Sequence, residues 1–260
     1  MLLKNRPKIK RIYFTPNMPT LIIGDIHGCF AQLEDLYNQF LLQIESKSKR
    51  QIIALGDLVD KGPDSQDVIE WFLSAPRGEE RLAVRGNHEV MFDEFVRHPS
   101  PRSPWLDFGG MQTLQSYSNK GLPDDLSKSD VTRTVQNIPK RHVSFCRSLP
   151  DIIVLGNICL VHAAIDPAKS VNDQTLNRLH WGPCIGPDDM HMVCFRDPNI
   201  NQVAHGHEPH SRKPNPALPV LNLDTGCYKT GILTGMVLNQ GSVTMVQTVP
   251  PKKSAIGTRF

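Results

Sequence analysis

Residues 21–28 read Leu-Ile-Ile-Gly-Asp-Ile-His-Gly. A short apolar run that halts at a glycine and an acid marks a buried strand feeding a loop. The event recurs twice: residues 51–55 are a second short apolar run that stops at Gly56-Asp57, and residues 81–84 stop at Arg85-Gly86-Asn87. Between the first two runs an amphipathic helical pattern spans about Phe30 to Glu45, with Leu33, Leu36, Phe40, Leu41 and Ile44 on one face. Ser65 is placed to cap a second helix carrying Val68, Ile69, Phe72 and Leu73. Three strand–loop–helix units in succession predict an α/β fold with a largely parallel sheet.

Working outward, residues 99–150 are richer in Pro, Ser and Gly and contain Trp105-Leu106-Asp107-Phe108-Gly109-Gly110. They read as a helical, cap-like insertion. Beyond it strands are expected at about 152–155, 158–161, 203–204, 220–223, 232–238 and 243–249. Several are separated by short turns with Gly or Asn, which suits antiparallel pairing. Residues 250–260 read as a tail. No linker divides the chain, so a single domain over 1–260 is expected.

Composition sets the outer limits. Of 260 residues, 39% are hydrophobic and 21% charged, which excludes wholesale disorder. A formal charge of +3 gives no reason to expect a nucleic-acid partner. No apolar run reaches the roughly 18 residues of a membrane span. The basic start (Lys4, Arg6, Lys8, Lys10, Arg11) is not followed by the apolar stretch of a secretory signal. The six cysteines form no C-x-x-C pair and read as reduced thiols of a cytoplasmic chain.

The chemistry lies at strand ends. In open α/β sheets ligands sit beyond the carboxyl ends of the strands, and here every such end carries polar side chains: Asp25 and His27; Asp57, Asp60 and Lys61; Arg85, Asn87, His88 and Glu89; His162; His205 and His207. Alone, an Asp after a strand is a turn or cap residue, and a single buried His is a satisfied core side chain. Five such ends on one edge point to a metal site. Carboxylate, imidazole and amide oxygen without thiolate argue against structural zinc and suit Mn, Fe or Zn better than an all-oxygen Mg or Ca cage. Six ligands exceed what one catalytic ion needs; two ions sharing a carboxylate would use them all.

The ordered set GDIHG, GDLVDKG, GNHE and two later histidines resembles the metallophosphoesterase superfamily, the calcineurin-like fold. Ala83–Glu89, Trp105 with Gly109-Gly110, and Leu223-Asp224-Thr225-Gly226 make the chain similar to its phosphoprotein phosphatase branch, particularly the bacterial and phage-lambda type. The resemblance runs from about residue 21 to 238. It implies two mixed β-sheets packed together with helices outside. It also implies that Asp25 and His27 bind a first ion, that Asp57 bridges two, and that Asn87, His162 and His207 complete the second. His205 is a rival for the last place. His88 would be the general acid, oriented by Asp60, and Arg85 and Lys61 would hold phosphate oxygens. The cofactors implied are two divalent ions per chain, Mn first, with Fe or Zn as alternatives.

Two departures stand out. Lys61 occupies the place where the family has Arg, and Trp181-Gly182-Pro183 lacks the Arg that phage-type enzymes carry there; Arg178 and Arg196 are candidates to replace it. The activity implied is that of a metal-dependent phosphomonoesterase. It would act on phosphoserine and phosphothreonine, with phosphotyrosine as a further substrate, by direct attack of a metal-bridging hydroxide. The partner would be a phosphoprotein or phosphopeptide met by a monomer, with no membrane involved. The alternative is hydrolysis of diadenosine tetraphosphate or other nucleotide polyphosphates. That branch reads GDLVARG and GNHD, so Asp60 and Glu89 weigh toward the protein phosphatase. A non-catalytic scaffold is disfavoured because every ligand and the general acid are present.

Overall fold

The structure is a computed structural model that describes residues 6–45, 48–118, 121–184, 194–211 and 214–250. The expected tail from 251 on, with Lys252, Lys253 and Arg259, lies outside the described residues, as do Lys4 and His191.

Two five-stranded sheets face each other. One orders its strands β1 (Ile9–Ile12), β5 (Ile152–Leu155), β6 (Ile158–Val161), β7 (Gln202–His205) and β8 (Val220–Asn222). The other runs β10 (Ser242–Gln247), β9 (Thr234–Asn239), β2 (Thr20–Ile23), β3 (Arg50–Ala54) and β4 (Glu79–Ala83). Both are mixed. β2, β3 and β4 pair in parallel, while β9 is antiparallel to β2 and β10. β5 and β6 form a hairpin, and β1–β5, β6–β7 and β7–β8 are parallel.

Period-2 side-chain alternation explains why apolar runs, not apolar–polar alternation, encode these strands. Ile22, Ile53, Leu55, Ile153, Leu155, Leu160 and Met236 meet between the sheets. Their neighbours Leu21, Ile23, Ile52 and Ala54 face the opposite way, into a core shared with helices α1 (Phe30–Leu41), α2 (Ser65–Leu73), α3 (Asn87–Arg97), α4 (Gly110–Ser116), α5 (Lys128–Asn137) and α6 (Lys140–Ser148). Ile152, Val154, Cys159 and Val161 pack outward against α7 (Leu176–Trp181). The strands β2, β3, β5, β6, β7, β8 and β9 are buried on both faces, whereas the edge strands β1, β4 and β10 are partly exposed.

Three local expectations are corrected. The α1 helix stops at Leu41, short of Glu45. Asp64, not Ser65, occupies the cap of α2; Ser65 Oγ instead accepts the Asp60 N–H at 3.0 Å. Between strands consecutive in the chain, antiparallel pairing holds only where the connection is a tight turn, between β5 and β6 and between β9 and β10. The connections before β7 and β8 are long enough to cross over, so those strands enter in parallel. The β1 strand, Ile-Lys-Arg-Ile on a sheet edge, has no counterpart in the sequence reading.

Candidate active site

The carboxyl ends of β2, β3, β4, β6 and β7 deliver their polar residues to one place. The loops are held by backbone bonds: Ile26 and His27 N–H donate to Asp57 O at 3.2 and 2.8 Å, and Gly206 N–H donates to His162 O at 2.8 Å. Among the described residues, six that are not glycine have positive φ. Five of them, His27, Asp57, Asp60, Lys61 and His207, are site residues. Left-handed backbone at such residues costs on the order of 1–3 kcal/mol each and persists where function requires it. Two glycines are sterically required. A Cβ on Gly206 would sit 1.7 Å from Asp25 Oδ1, and one on Gly86 2.2 Å from Asp57 Oδ1.

The ligand atoms fall into two compact groups that share one carboxylate: His27, Asp57 and His88, and Asp57, His162 and His207. His27 Nε2 lies 3.4 Å from Asp57 Oδ2, and His162 Nε2 lies 3.3 Å from Asp57 Oδ1. His162 Nε2 is also 2.8 Å from Asn87 Oδ1, which in turn is 3.2 Å from His207 Nδ1. His27 Nδ1 and His162 Nδ1 face the carbonyls of Val59 and Leu55 at 3.0 and 2.9 Å. A carbonyl only accepts, so both Nδ1 carry the proton and both Nε2 present a lone pair inward. Asp25 takes the His207 N–H on Oδ2 at 3.0 Å, while its Oδ1 is buried without a partner. Asp25 stands beside these groups rather than within either.

Lone pairs and carboxylates that converge with few donors among them repel one another, and the site's ionisation reflects it. Burial, then the charges of Asp224 and Asp57, pushes the Asp25 carboxyl well above the carboxylate range. Burial drives the His27 imidazole down to about 3 and that of His162 to about 4. A buried, donor-poor set of this kind fits divalent cations, which reverse each penalty. His88 behaves oppositely. Burial lowers it, but Asp57 and the bond to Asp60 outweigh burial and raise it, so the protonated form is favoured. Its Nδ1 lies 2.6 Å from Asp60 Oδ2. Asp60 is itself fixed by Trp105 Nε1 at 2.7 Å and Thr113 Oγ1 at 2.6 Å.

The remaining expected residues separate. Lys61 Nζ lies 2.9 Å from His27 Nε2, inside the site. Arg85, expected at the phosphate, instead places Nη2 3.0 Å from Asp93 Oδ2 on α3. Asp93 is buried and also collects Arg97 and Arg147 at 2.6 and 2.7 Å, so Arg85 belongs to that ion cluster. His205, the rival, directs Nδ1 to the Gly206 carbonyl at 2.9 Å and stands outside both ligand groups. Arg178 lines a cavity of about 460 Å³ with Trp181 and Pro183, and Arg196 one of about 740 Å³ with Arg6 and Lys169. Neither cavity is lined by a candidate ligand. His142 bonds Tyr117 and Glu70, and His180 bonds Asp151, as structural histidines do.

Three contributors have a structural role that the sequence reading does not reveal. Asp224, just past β8, is buried with Oδ2 unpartnered and faces Asp25 electrostatically; the signal was a sixth strand end closing on an acid. Thr113 sits on α4, where nothing in the sequence links it to Asp60. Glu89 was read as a substrate discriminator, but its buried carboxylate accepts the backbone N–H groups of Gly86, Asp57 and Leu58 at 2.9, 3.0 and 2.7 Å.

A family model described as calcineurin-like phosphoesterase matches residues 18–211. The asymmetrical bis(5'-nucleosyl)-tetraphosphatase PrpE of Oceanobacillus iheyensis is 38% identical over 229 residues, covering 82% of this chain and 86% of that one. The protein of the same name from Bacillus subtilis is 25% identical, covering 82% and 88%. A serine/threonine phosphatase structure from Saccharomyces cerevisiae aligns with a TM-score of 0.59 at 15% identity, over 96% of this chain and 87% of that one, a likeness of fold alone. These relatives overturn the expected protein phosphatase activity and phosphoprotein partner. The two residues that favoured that reading explain the error: Glu89 braces backbone and Asp60 braces His88, so neither reports on the substrate. Among the described residues no helix is long and apolar enough to cross a membrane.

Proposed function

The chain belongs to the calcineurin-like phosphoesterase family, which implies a dinuclear divalent metal site, and from that membership we propose that it hydrolyses dinucleoside polyphosphates such as diadenosine tetraphosphate. The observation that carries the substrate class is the 38% identity to a bis(5'-nucleosyl)-tetraphosphatase over most of both chains. Asp25, His27 and Asp57 would hold one cation, and Asp57, Asn87, His162 and His207 the other. Mn is the first choice for this mixed oxygen and imidazole set, with Fe or Zn as alternatives. When bound, such a pair supplies a nucleophile from water at neutral pH and neutralises phosphoryl charge.

The chain's own residues do the rest. The Val59 and Leu55 carbonyls fix the two imidazole tautomers. Asp60, held by Trp105 and Thr113, orients His88 so that Nε2 can give its proton to the departing phosphate oxygen. Lys61 holds phosphoryl oxygen as a point charge. Water oxygen joins phosphorus, one bridging P–O bond breaks, and the leaving nucleotide departs with that oxygen. The test is product analysis by anion exchange after incubating Mn-loaded protein with diadenosine tetraphosphate. Asymmetric cleavage yields ATP and AMP in equal amounts. Absence of turnover refutes the proposal, and two ADP molecules would refute the asymmetric form.

A further inference from the structure

Beside the ligand groups lies a cationic rim of two lysines, of which the catalytic scheme uses only Lys61. The Tyr228 ring packs edge-on against His27, with centroids 5.2 Å apart. Two ammonium groups share that ring: Lys61 Nζ is 4.5 Å from its centroid and Lys229 Nζ 5.2 Å. Among the described residues neither lysine forms an ion pair with a carboxylate, although Asp25, Asp57 and Asp224 lie near enough to Lys61 to feel its charge. Lys61 reaches inward to His27, while Lys229 is exposed. The line from His27 through Tyr228 to Lys229 therefore leads from the ligand groups outward to solvent.

The backbone carrying this rim is fixed. Tyr228 and Lys229 sit on α8 (Cys227–Thr230), which follows Asp224. Asp224 Oδ1 accepts the Gly226 N–H at 2.8 Å, Thr225 Oγ1 donates to Ile232 O at 2.7 Å, and Thr230 Oγ1 donates to Thr225 O at 3.0 Å. The turn is thus tied at both ends to the loop whose acid faces Asp25. An ammonium placed over an aromatic face is oriented without being neutralised, so it keeps its charge for a ligand.

We propose that Lys229, spaced from Lys61 by the Tyr228 ring, binds the phosphate chain beyond the phosphoryl group held at the ligand groups. The ligand class is a nucleoside polyphosphate, and the inference rests on the dinucleoside polyphosphate reading above. A monophosphate ends at Lys61 and does not reach Lys229. A chain of several phosphates continues outward and needs positive charge along its path, which Lys229 supplies.

The experiment separates this inference from the reading it rests on, because it measures binding. Calorimetric dissociation constants for AMP and ATP are compared in Mn-loaded wild type, Lys229→Ala and Lys229→Arg at fixed free Mn. The expected result is that Lys229→Ala weakens ATP about tenfold, as loss of one charged contact does, and changes AMP less than twofold. Lys229→Arg should restore most of the ATP affinity. Equal weakening of both nucleotides, or of neither, overturns the subsite. If wild type binds ATP with this dependence on Lys229 yet fails to cleave diadenosine tetraphosphate, the subsite stands and the substrate reading falls.

Discussion

At the scale of single residues, Asp57 is the most consequential side chain, because its two oxygens face different ligand groups: Oδ2 the first, Oδ1 the second. An amide there loses the charge that both groups depend on. Asp57→Asn should therefore lose bound metal as well as rate, read by elemental analysis; retention of two ions per chain would show that Asp57 is not the bridge. His88 makes a subtler claim. General acid help is typically worth 10²–10⁴-fold, and a departing phosphate oxygen is a weaker base than an alkoxide. His88→Asn should thus lower kcat on diadenosine tetraphosphate by about 10²-fold, the low end, with metal content unchanged. Thr113→Val should give a smaller loss of the same kind, since Thr113 touches Asp60 and not the substrate; no change in kcat would mean that His88 needs no such brace.

At the scale of elements, the strand ends are where sequence and structure agree best. Apolar runs such as 21–23 and 152–155 are legible because both faces are buried, and each halts at the loop that carries chemistry. The β1 strand was illegible because Lys10 and Arg11 break a four-residue run, and the parallel entry of β7 and β8 because long crossovers leave no local signal. All six expected metal ligands and His88 lie in or directly beside the compact groups, whereas Arg85 pairs with Asp93, whose burial no local pattern announces. The substrate was misread because Glu89 is an element-level brace. It joins the start of α3 to the loop after β3, and Glu89→Ala would leave three buried N–H groups without acceptors. A loss of about 3 kcal/mol is expected from thermal or denaturant unfolding; a loss under 1 kcal/mol would contradict the bracing role.

A second brace ties β3 to β4. Glu79 accepts from Arg50, Arg81 and Tyr37, each at 2.5 Å. Burial pushes its carboxyl up, but those bonds outweigh burial and hold it below the usual range. A carboxyl lowered on folding stabilises the protein above its unfolded pKa, about 4.3, and loses that contribution as pH falls through the folded value. Glu79→Gln should accordingly cost about 2–3 kcal/mol at pH 7, with the gap to wild type narrowing below about pH 4. A gap that is constant with pH would mean the charge contributes nothing.

At the scale of the whole molecule, two mixed sheets bring strand ends from residues 24 to 207 onto one edge, and the fold alone does not choose the substrate. The structural likeness to a yeast serine/threonine phosphatase at 15% identity carries the architecture only; the proposed substrate rests on relatives at the sequence level. Metal binding should also stabilise the whole domain, by about 2.7 kcal/mol at a free concentration 100 times Kd, so a chelator should lower Tm and abolish turnover together. The central claim is tested most directly by kcat/KM of one Mn-loaded preparation for diadenosine tetraphosphate and for a phosphoserine peptide at the same pH. The account predicts that the dinucleotide is preferred by on the order of 100-fold or more, because a site built for a phosphate chain leaves charged groups unpaired with a monoester. Equal efficiency, or preference for the peptide, would contradict it.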